Sequence, residues 1–86
     1  MSSRRLALDA LVRVEEGAFA HILVPQLLSR SKLEPRDRAF VTELVYGTIR
    51  MQRAVDYQID RVSSRPVGAL EPAVRAAVRL GAFQVL

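Results

Sequence analysis

From Phe40 to Val62 the apolar residues keep one helical register, and that register leaves little freedom in the choice of fold. Placed at about 100° per residue, Phe40, Val41, Leu44, Val45, Thr48, Met51, Val55, Ile59 and Val62 fall within a single arc. A half-buried strand would alternate instead, and no such alternation persists anywhere in the chain. The segment therefore reads as one long helix or two nearly collinear ones, with Gly47 and Thr48 as the expected place for a bend. Its start carries the clearest signal. Glu34 stands as a weak N-cap, Pro35 suits the first helical position, and Asp37 lies where a capping carboxylate would sit.

The same period governs the rest. A first helix is predicted from Ser3 to Glu16, with Ala7, Leu11, Val14 and Ala18 on one stripe and Gly17 ending it. A second covers about Ile22 to Ser31. Proline is tolerated in a first helical turn, so Pro25 places its true start near Leu23 or Val24. Ser63-Ser64-Arg65-Pro66-Val67-Gly68 reads as a loop. A last helix opens at Pro72, with Val74, Ala77, Val78, Gly81 and Val85 buried on one side and Ala73, Ala76, Leu80 and Phe83 on another. Only Arg75 and Arg79 form a charged strip on it, expected to be solvated on a helix otherwise nearly surrounded by protein. The fold class is thus all-α, a bundle of about five helices forming one domain over residues 1–86. Because the apolar pattern continues into the last residues, the chain reads as the amino-terminal piece of a longer polypeptide.

Length and composition narrow the functions open to such a bundle. Eighty-six residues suffice for one small domain, which buries only roughly 60–65% of the surface its unfolded chain exposes. The absence of cysteine removes disulfides, thiolate metal sites and a cysteine nucleophile. One histidine, His21, makes neither a zinc site nor a triad, and beside apolar Ile22 and Leu23 it receives no function. There is no room for the repeated βαβ units of a nucleotide-binding enzyme domain, so the chain is not read as a complete enzyme. Asp9, Arg13, Glu15 and Glu16 interrupt any signal-peptide core after the basic start, and nothing approaches a membrane span. The expectation is a soluble, cytoplasmic protein with no membrane partner. A net charge of +4 favours nucleic acid or anionic surfaces. Two features temper that: Lys32 is the one lysine among thirteen basic residues, and acids neighbour bases in Arg36-Asp37-Arg38 and Asp60-Arg61.

The string Leu44-Val45-Tyr46-Gly47-Thr48-Ile49-Arg50, preceded by Asp37-Arg38-Ala39-Phe40-Val41-Thr42-Glu43, resembles a segment of one family. That family is the RsmB (Sun/Fmu) type of bacterial 16S rRNA cytosine-5 methyltransferases, and the segment lies in their NusB-like amino-terminal domain. Leu80-Gly81-Ala82-Phe83-Gln84-Val85-Leu86 resembles a second segment of that domain. Ile22-Leu23-Val24-Pro25 and the helix from Arg5 to Val14 match in order and spacing, so the resemblance covers essentially the whole chain. It implies a NusB-like helical bundle, truncated here at its C-terminal side, and beyond it a methyltransferase domain that binds S-adenosylmethionine. The implied partners are small-subunit rRNA and that catalytic domain. Methylation at carbon 5 of cytosine needs a thiolate to add to the ring. With no cysteine and no glycine-rich strand-to-helix turn, this piece holds no catalytic residue and no cofactor site. The resemblance leaves it to bind RNA or to position the catalytic domain. Two alternatives stay open: a free-standing transcription antitermination factor of the NusB type, and a purely structural domain that packs on the catalytic domain.

Six arginines are the candidate RNA ligands: Arg4, Arg5, Arg36, Arg38, Arg50 and Arg53. Arg4 and Arg5 stand at the first helix start, where positive charge opposes the helix dipole. NusB-like proteins use a basic amino-terminal segment for RNA, and these two match its position; the plainer alternative is a solvated tip. Arg36 and Arg38, with Arg30 and Lys32 just before, form a second basic cluster. Tyr46, Arg50, Arg53 and Tyr57 share a strip about 60° wide opposite the apolar arc, suited to phosphates and stacked bases. Against that, Arg50 has Glu43 within reach as a buried structural link. Gly47 and Gly81 each cost their helix about 1 kcal/mol relative to Ala, and close helix approach, of the two helices to each other, is the preferred account.

Overall fold

Ser2 begins the first helix by capping it: its Oγ accepts the Arg5 backbone N–H at 3.1 Å, which satisfies one of the donors a helix start leaves without a partner. The computed structural model describes residues 2–85. Within them lie α1 (Ser3–Glu15), α2 (Ala20–Arg30), α3 (Pro35–Arg50), α4 (Gln52–Val62), a short 3₁₀ turn (Val67–Ala69) and α5 (Pro72–Val85). No β-strand occurs among the described residues. The all-α bundle of five helices is thus the observed architecture.

Gly17 ends α1 as the sequence predicts, and its φ of 109° shows why a glycine stands there. The left-handed turn lets the Ala18 N–H reach Arg13 O and the Gly17 N–H reach Val14 O, both at 3.0 Å. This double closure satisfies carbonyls that the helix end would otherwise leave open. At the next helix the expectation needs correcting. α2 begins at Ala20, not near Leu23, so Pro25 lies inside it. The missing proline N–H leaves the His21 carbonyl unpaired in the ladder, but both residues are on the exposed side, where water replaces the bond. At the far end Leu28 O accepts from Ser31 Oγ and from Arg38 Nη1, each at 2.8 Å.

Pro35 opens α3 as expected, with Glu34 in N-cap position, although the Glu34 side chain makes no capping hydrogen bond. The break between α3 and α4 falls at Met51 (φ −96°, ψ 16°) rather than at Gly47–Thr48. Only one residue leaves the helical path, because Met51 N–H still reaches Gly47 O and Val55 N–H reaches Met51 O, both at 2.9 Å. Thr48 is buried, and its hydroxyl donates to Leu44 O at 2.6 Å. The two helices are therefore close to the continuous rod that the apolar arc describes.

The core has two parts. The larger one joins Leu6, Ala7, Ala10 and Leu11 of α1 to Leu23, Val24 and Leu28 of α2, Val41, Leu44 and Val45 of α3, and Ala76 and Leu80 of α5. Ala7 and Ala10 are wholly buried, and such small side chains let the neighbouring helices come close to α1. A smaller cluster holds Val55, Ile59 and Val67, with the Asp60 carboxylate accepting the Val67 N–H at 2.8 Å to fix the loop. Phe83 packs against both clusters. Burying the apolar arc of α3 and α4 stabilises the bundle at about 25 cal/mol per Å² of apolar surface removed from water.

The arc is not buried throughout: Phe40 at its start and Met51 at the break are exposed, and Val62 at its end is 88% exposed. α5 also departs from expectation. It buries Ala76 and Leu80, while Val74, Ala77, Val78, Gly81 and Val85 all lie exposed. Its neighbours α1, α3 and α4 cover one side of α5, and no described residue covers the other. Helical periodicity names apolar faces, but a face is buried only where another element reaches it.

Gly47 makes a close approach, though not to Gly81. A Cβ added at Gly47 would fall on the Phe83 ring, within 2.8 Å of Cε2 and 2.9 Å of Cε1. Nothing lies within 4 Å of the equivalent position at Gly81. Gly47→Ala is therefore expected to destabilise the domain by about 1–2 kcal/mol, overpacking outweighing the helix propensity gained. Phe83→Leu in the same chain should recover part of that loss in chemical denaturation.

Candidate nucleic-acid interface

The basic residues fall into groups that differ in what already holds them. Arg4, in the first turn of α1, donates from Nε to Gln84 Oε1 of α5 at 2.7 Å, and its guanidinium carbon sits over the Phe40 ring of α3, 5.3 Å from the centroid. Three helices thus meet at one arginine, and no carboxylate among the described residues pairs with it. Arg5 lies 3.8 Å from Asp9, but both side chains are well exposed, so that pair is weak. Arg36 stands one helical turn before Phe40 on the same face of α3, exposed and with no ion-pair partner among the described residues. Arg30 and Lys32 border a groove of ≈ 440 Å³ with Leu6, Leu27, Ser31 and Leu33. The start of α1, the α2–α3 connection and the start of α3 therefore gather Arg4, Arg5, Arg30, Lys32 and Arg36 at one end of the molecule.

Other candidates lie elsewhere or are occupied. Arg38 turns its guanidinium to the end of α2, where it closes Leu28 O. Its charge suits a helix C-terminus. Arg50 and Arg53 lie near the middle of the α3–α4 rod, where the two helices join, with Arg50 about 21 Å along the axis from Arg36. Arg50 does meet Glu43, at 3.5 Å, but the side chains are 62% and 63% exposed, so the link is on the surface and not buried. The proposed tyrosine–arginine strip is split. Tyr46 is half-buried and donates its hydroxyl to Ala20 O at 3.3 Å, whereas Tyr57 is exposed with Arg61 over its ring at 5.7 Å. The i, i+4 spacing of Tyr57 and Arg61 was a signal available in the sequence.

Arg75 and Arg79 are not the solvated strip that the sequence suggested. Arg79 donates from Nε and Nη2 to the two Asp56 carboxylate oxygens at 2.8 and 2.9 Å, and from Nη1 to Glu15. Arg75 donates to the other Glu15 oxygen at 3.0 Å and to the Gly68 and Leu70 carbonyls at 3.2 Å. Side-chain exposure across the group is only 12% to 23%. Two arginines and two acids thus tie α1, α4, α5 and the loop before α5 together, and their charges cancel. They are fasteners of the fold, with little field to offer a ligand.

Comparison with known proteins places the chain. The model of the NusB family matches residues 1–86. Over 83 residues the chain is 42% identical to the ribosomal RNA small subunit methyltransferase B of Thermus thermophilus, covering 96% of this chain and 21% of that protein. It is 36% identical over 86 residues to the probable ribosomal RNA small subunit methyltransferase B of Synechocystis sp., covering 99% of this chain and 19% of the relative. The Bacillus subtilis counterpart is 32% identical over 85 residues, again with 19% of its length covered. The chain therefore spans about a fifth of the length of the curated relatives it matches. No solved structure matches it.

Proposed function

The chain belongs to the NusB family, and from that premise we propose that it is the RNA-binding module of a small-subunit rRNA (cytosine-5) methyltransferase. In this reading it holds rRNA for a catalytic domain that lies elsewhere in a longer polypeptide. The relatives' names support the substrate class. The observation that carries the RNA reading is the gathering of Arg4, Arg5, Arg30, Lys32 and Arg36 around one end of the bundle, with Arg4 and Arg36 making no ion pair among the described residues. Arg50 and Arg53 form a second, more distant contact zone, and Arg38 supports the first by fixing the end of α2. Phosphate binding by such groups is driven by release of the counterions condensed on the nucleic acid.

S-adenosylmethionine, the methyl donor of the parent activity, does not fit these residues. The described residues contain no strand, hence no strand-to-helix glycine turn to receive the donor, and Gly47, buried mid-helix, is blocked by Phe83. The module's part is to bind and orient RNA while the donor and the nucleophile reside in the catalytic domain. No helix among the described residues is long and apolar enough to cross a membrane.

Fluorescence anisotropy with a labelled small-subunit rRNA fragment tests the proposal. With about four phosphates contacted, affinity should fall roughly fifty- to a hundredfold between 50 and 200 mM salt. Replacing both Arg4 and Arg5 by Ala should reduce the slope of log K against log salt by about 1.5 to 2. The same pair should lower Tm by less than about 4 °C, since both side chains are exposed. Absent or salt-independent binding would instead leave the domain a packing element.

A further inference from the structure

Arg4 is oriented by a hydrogen bond and an aromatic ring, with no acid partner among the described residues. Its Nε is held at 2.7 Å by Gln84 Oε1, and its guanidinium carbon lies over Phe40. Gln84 is itself oriented, because its Nε2 donates to Leu80 O one turn earlier at 3.2 Å. That bond directs the amide oxygen toward α1. The Nη1 and Nη2 groups of Arg4 make no hydrogen bond with any described residue, so the terminal edge of the fork retains its donors for a ligand. Phe40, 37% exposed, offers ring surface beside them. Arg36, one turn away on the same face of α3, adds positive charge and makes no ion pair among the described residues.

We infer that Arg4, Phe40 and Gln84 form a preorganised clamp for an unpaired ribonucleotide, its phosphate on the Arg4 Nη edge and the adjoining base stacked against the Arg4–Phe40 pair. The inference rests on the RNA-binding reading above and gives it a specificity. A free arginine side chain loses rotamer entropy when it binds; Arg4, held by Gln84 and Phe40, has lost part of it on folding, so less is lost per hydrogen bond formed. A fork-shaped guanidinium meets two phosphate oxygens at once, which an ammonium does not. Bases inside a duplex have both faces covered by their neighbours, so only an unpaired base has a face to give to the ring. Two uncharged residues, Phe40 and Gln84, thereby join an interface that charge alone would never identify.

The test uses residues whose replacement leaves net charge unchanged. Anisotropy is measured for the 86-residue chain with a labelled single-stranded oligoribonucleotide, and with the same strand in a perfect duplex. Arg4→Lys, Phe40→Leu and Gln84→Leu should each weaken single-strand binding about five- to twentyfold, the range expected for loss of stacking or of a fixed fork. Duplex binding should change less than about twofold, and the salt slope should stay the same because the number of cations is the same. Gln84→Glu should also weaken binding and reduce the slope, by pairing Arg4 with a carboxylate. Circular dichroism of each variant confirms that the helices remain. Equal loss on both RNAs, or no loss for Phe40→Leu and Gln84→Leu, overturns the clamp while leaving the basic surface intact. Failure of the unmodified chain to bind either RNA overturns both readings together.

Discussion

Arg79→Ala is expected to destabilise the domain by about 2–4 kcal/mol, which at about 4–8 °C per kcal/mol lowers Tm by roughly 8–32 °C. The loss is large because one guanidinium serves two acids on different helices. Its bidentate bond holds Asp56 on α4, and its Nη1 holds Glu15 at the end of α1. Removing it leaves two carboxylates with side-chain exposures of only 19% and 23% near one another, with Arg75 the remaining cation. A solvated arginine on a helix surface would cost less than about 0.5 kcal/mol. Thermal unfolding therefore decides between the two descriptions of this residue. RNA affinity of the folded Arg79→Ala chain should be unchanged, since its charge is already cancelled. Restoring balance with Asp56→Asn in the same chain, which leaves Glu15 paired with Arg75, should recover part of the stability, because unpaired buried charge is the costly element.

Phe83→Ala should cost about 2–4 kcal/mol, near the lower end of the range for aromatic truncation because the ring is half-buried. The distribution of that loss matters more than its size. Phe83 packs against the main core and against the Val55–Ile59–Val67 cluster. It also fills the space that Gly47 leaves open on α3. Without the ring the small cluster keeps only Leu70 and Ala82 as flanking apolar partners. Hydrogen exchange should then show α4 amides from Val55 to Val62 losing protection well before those of α1, as expected when a region with few buried contacts opens as its own unit. Uniform loss of protection across all five helices would mean that the two clusters unfold as one.

Much of the architecture was legible locally. Gly17, Pro35 and Pro72 stand at or beside helix ends because left-handed turns and a missing N–H act within a few residues. Pro25 shows the limit of such rules. Its penalty depends on whether water reaches the freed carbonyl of His21, and exposure is a tertiary property. The Gly47 signal was legible as a close approach of its helix to the last one, but the partner residue was not: a glycine announces that something comes near, and only packing says that it is Phe83 and not Gly81.

The candidate interface divides along the same line. Basic residues, their order and their resemblance to a family can be read from the chain, because charge and motif belong to residues and short strings. Which arginines remain free for a ligand belongs to the assembled bundle. Arg75 and Arg79 meet Glu15 across separations of 60 and 64 residues, and Arg4 meets Gln84 across 80. No periodicity encodes those meetings. The sequence by itself determined the helices, their apolar arcs and the family. The tertiary structure decided which faces are covered, which charges cancel and which guanidinium is held ready, because burial and pairing depend on what stands opposite a side chain and not on what adjoins it.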